Sequence, residues 1–74
     1  MEDLPVINLG KSGVKETLIA EIKNALAKKR KLKVRVMRSA LEERTTADIA
    51  EEVAGKTKAV LEDVRGHTFI LAKK

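Results

Sequence analysis

The chain has 74 residues, sixteen basic against eleven acidic side chains, a net charge of +5, one histidine and no cysteine. One small domain fits that length, with no room for a second core. Without cysteine there is no disulfide framework, thiolate metal site or cysteine nucleophile, and a structural zinc would need carboxylate ligands. No stretch approaches the roughly 18 consecutive apolar residues of a membrane span. The acidic start Met1-Glu2-Asp3-Leu4-Pro5 is unlike a targeting peptide, so the expected address is the cytoplasm.

The charge is unevenly placed. Residues 10–38 carry ten basic side chains against Glu16 and Glu21, a local net of +8, whereas residues 39–74 carry six basic and seven acidic groups. Such asymmetry in one small domain is the footprint expected of a polyanion partner. The plainer alternative is a lysine-rich solvated surface laced with ion pairs.

Taken in order, Pro5 to Leu9 is a short apolar run stopped by Gly10, and predicts a first strand. Gly10-Lys11-Ser12-Gly13 predicts a turn. A helix follows from about Val14 to Lys29, with Val14, Leu18, Ile22 and Ala25 on one face. Leu32, Val34 and Val36 alternate with Lys33, Arg35 and Met37, which predicts a strand with one packed face and one basic face. Arg38 to Arg44 is expected to be a loop. Thr45 with Asp48 three residues on forms a capping box for a second helix, expected to end near Gly55. Lys58 to Val64 and His67 to Ala72 predict two more strands, joined by a tight hairpin at Arg65-Gly66.

The order β-α-β-α-β-β with right-handed crossovers makes strands one to three parallel and turns the fourth back antiparallel. The expected fold is an α/β two-layer sandwich: a four-stranded mixed sheet with two helices on one face and the other face open. The strand ends then gather the Gly10–Gly13 loop, Arg38 and Arg65-Gly66-His67 at one edge. The Lys28-Lys29-Arg30-Lys31 run falls at the opposite edge, where cations also favour the helix dipole.

Among the motifs, Gly10-Lys11-Ser12-Gly13 carries the most chemistry. Two bracketing glycines allow a sharp turn and close approach by a ligand. The helix start beyond them offers free amides to an anion, and Ser12 is placed to cap it. Lys15, in the expected first turn, is at the electrostatically wrong end unless an anion binds. The run lacks the earlier glycine of a nucleotide-binding P-loop and the third glycine of a dinucleotide fingerprint. Geometry alone is the competing explanation for a strand-to-helix turn with glycines.

Lys33 and Arg35 project together from the expected open face. His67 is the sole acid-base candidate and has no nucleophile or carboxylate at a motif spacing, so no catalysis and no cofactor are expected. Phe69 is the one aromatic residue and its apolar neighbours point to the core, which counts against a base-stacking sheet and favours recognition of phosphate and shape.

Val6-Ile7-Asn8-Leu9-Gly10-Lys11-Ser12-Gly13-Val14, then Leu18 to Leu26 and a basic β-branched strand, resemble the CRM domain (chloroplast RNA splicing and ribosome maturation). Ile49-Ala50-Glu51-Glu52-Val53 and Val64-Arg65-Gly66-His67-Thr68-Phe69-Ile70-Leu71 continue the resemblance over nearly the whole chain. It implies a fold like the C-terminal domain of translation initiation factor 3, a GxxG loop reminiscent of KH domains, and RNA binding, with stand-alone members associated with precursors of the large ribosomal subunit. The RNA-contacting set it leads to is Gly10, Lys11, Ser12, Gly13, Lys15, Lys33, Arg35, Arg38, Arg65 and His67. Two departures stand out: family members carry a basic helix before the first strand, where acidic Met1–Leu4 stand here, and a Tyr and Arg near the end of the last strand, where this chain has Ala72-Lys73-Lys74. The alternatives are a chromatin protein of the Alba type, whose hairpin is longer, and a module that docks on ribosomal proteins. No membrane partner is expected.

Overall fold

The computed structural model describes residues 4–10, 13–41 and 44–74. Its elements are β1 (Val6–Leu9), α1 (Glu16–Lys29), β2 (Lys31–Val36), a short 3-10 turn over Arg38–Leu41, α2 (Thr46–Thr57), β3 (Val60–Arg65) and β4 (Thr68–Ala72). β1 pairs with β2 in parallel, β4 inserts antiparallel between β2 and β3, and the sheet order is β1-β2-β4-β3. β1, β2 and β3 therefore run the same way and β4 runs against them, as the β-α-β-α-β-β order predicts.

The alternation in β2 decides which face is buried. Leu32, Val34 and Val36 are at most 2% exposed, and they meet Ile7 and Leu9 of β1 and Phe69 and Leu71 of β4 in one core. Helix α1 adds Ile22 and Leu26; α2 adds Ile49, Ala50 and Val53. Both helices thus cover one face, and Phe69 is core, as its neighbours predict. On the other face Lys31, Lys33 and Arg35 alternate outward with Asn8, Thr68 and Ile70 alongside.

Several local expectations need correction. The third and fourth strands start at Val60 and Thr68 rather than Lys58 and His67, and the tight hairpin is Gly66-His67 rather than Arg65-Gly66. Helix α1 starts at Glu16 rather than Val14, because Lys15 is extended at φ −111° and ψ 160° and forms the N-cap. Lys15 is therefore outside the first turn, and the cap position is three residues beyond Ser12. Helix α2 runs past Gly55 to Thr57, whose buried hydroxyl donates to the Val53 carbonyl at 2.7 Å. The left-handed residue that ends it is Lys58 (φ 56°), as Arg30 (φ 68°) ends α1; neither helix uses the glycine that such a stop favours. Finally, Arg38–Leu41 is one turn of 3-10 helix whose Ala40 and Leu41 pack against the core, rather than plain loop.

Candidate nucleic-acid interface

Two backbone hydrogen bonds gather the strand ends. The Met37 N–H donates to the Leu9 carbonyl at 2.7 Å, and the Val36 N–H donates to the His67 carbonyl at 2.7 Å. Gly10 is one residue beyond the first pairing, Arg38 one residue beyond Met37, and His67 is itself in the second. The loop after β1, the turn after β2 and the β3–β4 hairpin therefore share one edge. Gly66, at φ +55°, is the first of two hairpin residues, a position where glycine carries no steric cost. Arg38 and His67 are exposed there.

The turn after β1 is closed by a hydrogen bond from the Gly13 N–H to the Gly10 carbonyl at 2.9 Å. Lys11 and Ser12, its central residues, lie outside the described residues. The bracketing glycines differ in what the fold asks of them. Gly13 is left-handed at φ +73°, so its conformation accounts for it. Gly10 has no positive φ, and a Cβ there would meet no described residue within 4 Å. Nothing in the described fold requires glycine at position 10, as nothing does at Gly55 within α2; what sets Gly10 apart is its place at the cleft.

Beside this turn is an open cleft of about 300 Å³ bordered by Asn8, Gly10, Gly13, Lys15, Thr17 and Glu21. It holds the start of α1. Lys15 makes no side-chain cap, and the first intrahelical bond runs from the Ile19 N–H to the Lys15 carbonyl at 2.9 Å. The amides of Glu16, Thr17 and Leu18 precede that bond and no described side chain caps them, so the positive end of the helix dipole faces the cleft with the Lys15 ammonium beside it. Glu21 supplies the opposing charge.

The open sheet face continues the site. In register, Asn8 of β1 pairs with Arg35 of β2, Arg35 with Thr68 of β4, and Thr68 with Arg65 of β3. This polar row crosses the whole sheet near its strand-end edge. Lys33, half-buried, stands in the next row between Val6 and Ile70. Arg65 is 86% exposed in its side chain and pairs with Asp63 at 3.1 Å, an exposed contact of small energy that leaves the guanidinium available. Asn8 and Thr68 join the row only through the pairing, and sequence reasoning missed them. A polar residue between the inward-facing Ile7 and Leu9 is the available signal for Asn8.

The structure thus brings Gly10, Gly13 and Lys15 together at one cleft, places Arg38 and His67 on the same edge, and sets Arg35, Arg65 and Lys33 on the adjoining open face. At the opposite edge Lys31 pairs with Glu62 at 2.9 Å, and Arg30 is the helix stop. Among the described residues, no group of three or more His, Asp or Glu could hold a metal ion, and His67 has no side-chain hydrogen bond or ion pair. The arrangement offers donors and positive charge to an anion.

The model of the CRS1 / YhbY (CRM) domain matches residues 2–73. The chain belongs to that family. It is a family of RNA-binding domains. Among solved structures, the solution structure of the hypothetical protein SAV1595 from Staphylococcus aureus matches with a TM-score of 0.74 at 24% identity, covering 95% of this chain and 71% of that one. That protein is described as a candidate RNA binder; the likeness at this identity is one of fold. No curated protein matches the chain significantly.

Proposed function

We propose that this CRM domain binds structured RNA through the edge where β1, β2 and β3 end, and that it serves assembly of the large ribosomal subunit in the cytoplasm. In this reading the Gly10–Gly13 turn and the first amides of α1 hold backbone phosphate. Lys11, Lys15, Arg38 and Arg65 supply charge along the edge, Lys33 and Arg35 widen the surface, Ser12 and His67 add hydrogen bonds, and the domain acts by binding rather than by catalysis.

The observation that carries the reading is Gly10: a glycine that the described fold does not need, in one cleft with Lys15 and a helix start that no described side chain caps, at the edge where the loops converge. Family membership supports RNA as the polyanion. The buried Phe69 leaves no aromatic platform on the sheet, so phosphate and shape carry recognition. The two-residue hairpin between β3 and β4 disfavours the Alba alternative, which calls for a longer one.

Competition between structured RNA and duplex DNA of equal length, at two salt concentrations, tests the proposal. A preference for RNA with a steep salt response is expected. Equal binding to both nucleic acids would point to a chromatin-like role, and shallow salt dependence with no RNA preference would point to docking on protein.

A further inference from the structure

The lysines of the helical face sort into those that have partners and those that do not. Lys56 is held by Glu52 at 3.2 Å. Lys15, Lys23, Lys58, Lys73 and Lys74 form no salt bridge with a described residue. All six are exposed and they line three adjoining clefts. The loop cleft meets, at Lys15, a groove of about 480 Å³ along α1 that Lys23 and Lys56 also border. That groove meets, at Lys23, a further cleft of about 220 Å³ between the ends of the two helices, bordered by Lys58, Lys73 and Lys74.

The last cleft is the informative one. Four lysines line it and no acidic side chain does. Cations near helix C-termini have a structural use, but Lys28, Lys29 and Lys56 already occupy the last turns. Nor are the final residues a loose tail: the Lys73 N–H donates to the Arg30 carbonyl at 2.6 Å, which fixes that lysine at the cleft. Like charges gathered on one concave surface repel one another unless an anion sits among them. The floor is apolar, built from Ile19 in the groove and from Leu26, Ala27 and Ala59 in the far cleft. Glu16 in the groove and Glu21 in the loop cleft are the acidic side chains along the way.

We infer that these clefts form one track along which a single RNA strand leaves the Gly10–Gly13 edge and crosses the helical face, its phosphates on the lysines and its riboses and bases against the aliphatic floor. The inference rests on the RNA-binding reading above and gives it a path. The track crosses a molecule whose long axis is 31 Å, a span suited to the small end of the roughly 4 to 16 nucleotides that small single-strand-binding folds cover. Without aromatic residues along it, the track holds backbone and is tolerant of sequence.

Uridine oligomers of about 4 and about 15 nucleotides, a length range such folds cover, test it by salt titration of binding. The double variant Lys23→Ala/Lys73→Ala removes two track charges; Lys28→Ala/Lys29→Ala removes two charges off the track and matches it in net charge. For the long oligomer, the track variant should lose about 1.4 from the log-log salt slope, about 0.7 per phosphate contact, while the off-track variant keeps the slope. Both should bind the short oligomer like the parent. Equal losses from the two variants, or an unchanged slope in the track variant, would overturn the path while leaving the loop site standing. Failure of the parent protein to bind either oligomer, or any structured RNA, would overturn both.

Discussion

Helix α2 starts at a closed cap, the Thr45 hydroxyl accepting from the Asp48 N–H at 3.1 Å, whereas α1 starts at Lys15, whose side chain caps nothing. Both helices follow strands that run the same way and so enter from the same edge of the sheet. The α2 start is further tied by Arg44, which donates to the Asp48 carbonyl and pairs with Glu52, itself bound to Lys56. There the protein satisfies its own polar groups. At α1 no described side chain caps the first amides, a lysine holds the cap position, and Gly10, which has no positive φ, borders the same cleft. The same structural event is closed by a side chain at α2, and no described side chain closes it at α1.

The comparison breaks first at Gly10. Gly10→Asp puts a carboxylate where no described residue would meet its Cβ, with no positive φ to strain, so the thermal midpoint should hold while RNA affinity falls about tenfold or more, ~1.4 kcal/mol per decade. Unchanged affinity would remove the turn from the site. At the other helix the effects should be reversed: Thr45→Ala is expected to cost about 1 kcal/mol of stability, a drop of roughly 4–8 °C in a domain of this size, with RNA binding intact. Lys15→Ser sharpens the contrast because its two effects oppose one another. A serine cap should raise stability by about 0.5–1 kcal/mol, yet the salt slope of RNA binding should shrink by about 0.7–0.9.

The smallest effect concerns Glu52. Hydrogen bonds from Arg44 and then Lys56 hold its carboxyl below the ordinary carboxylate range. A lowered folded-state value means that the contribution is present above the unfolded-state pKa and fades as pH falls through the folded one. Glu52→Gln should therefore lose well under about 1 kcal/mol near neutrality, as exposed pairs do, and match the parent in strong acid. A stability gap that persists in acid would show that packing, not charge, is what the substitution removed.

What could be read in the chain was local. The alternation from Leu32 to Met37 announced the one-sided strand, Thr45 and Asp48 announced their cap, and Gly10 with Gly13 announced the turn, because each is set by neighbours a few residues away. Strand directions also followed, from the order of the elements and the right-handed crossovers it implies. The insertion of β4 between β2 and β3 is a non-local pairing, and so is the row that recruits Asn8 and Thr68. Helix ends moved for similar reasons. Val14 carries the apolar period, but it packs against the core from outside the helix. Gly55 looked like a stop, but Thr57 has a backbone carbonyl to bind and Lys58 takes the left-handed turn. The register shift between Leu61 and Asp63, which puts two residues of β3 against one step of β4, had no local signature at all.

Amide resonances followed during an RNA titration would test the central claim most directly. The Gly10, Gly13, Glu16, Thr17 and Leu18 amides are expected to shift together and saturate with one affinity, while those of Thr46, Ala47 and Asp48 at the capped helix stay in place. Shifts concentrated at the start of α2, with the start of α1 silent, would contradict it.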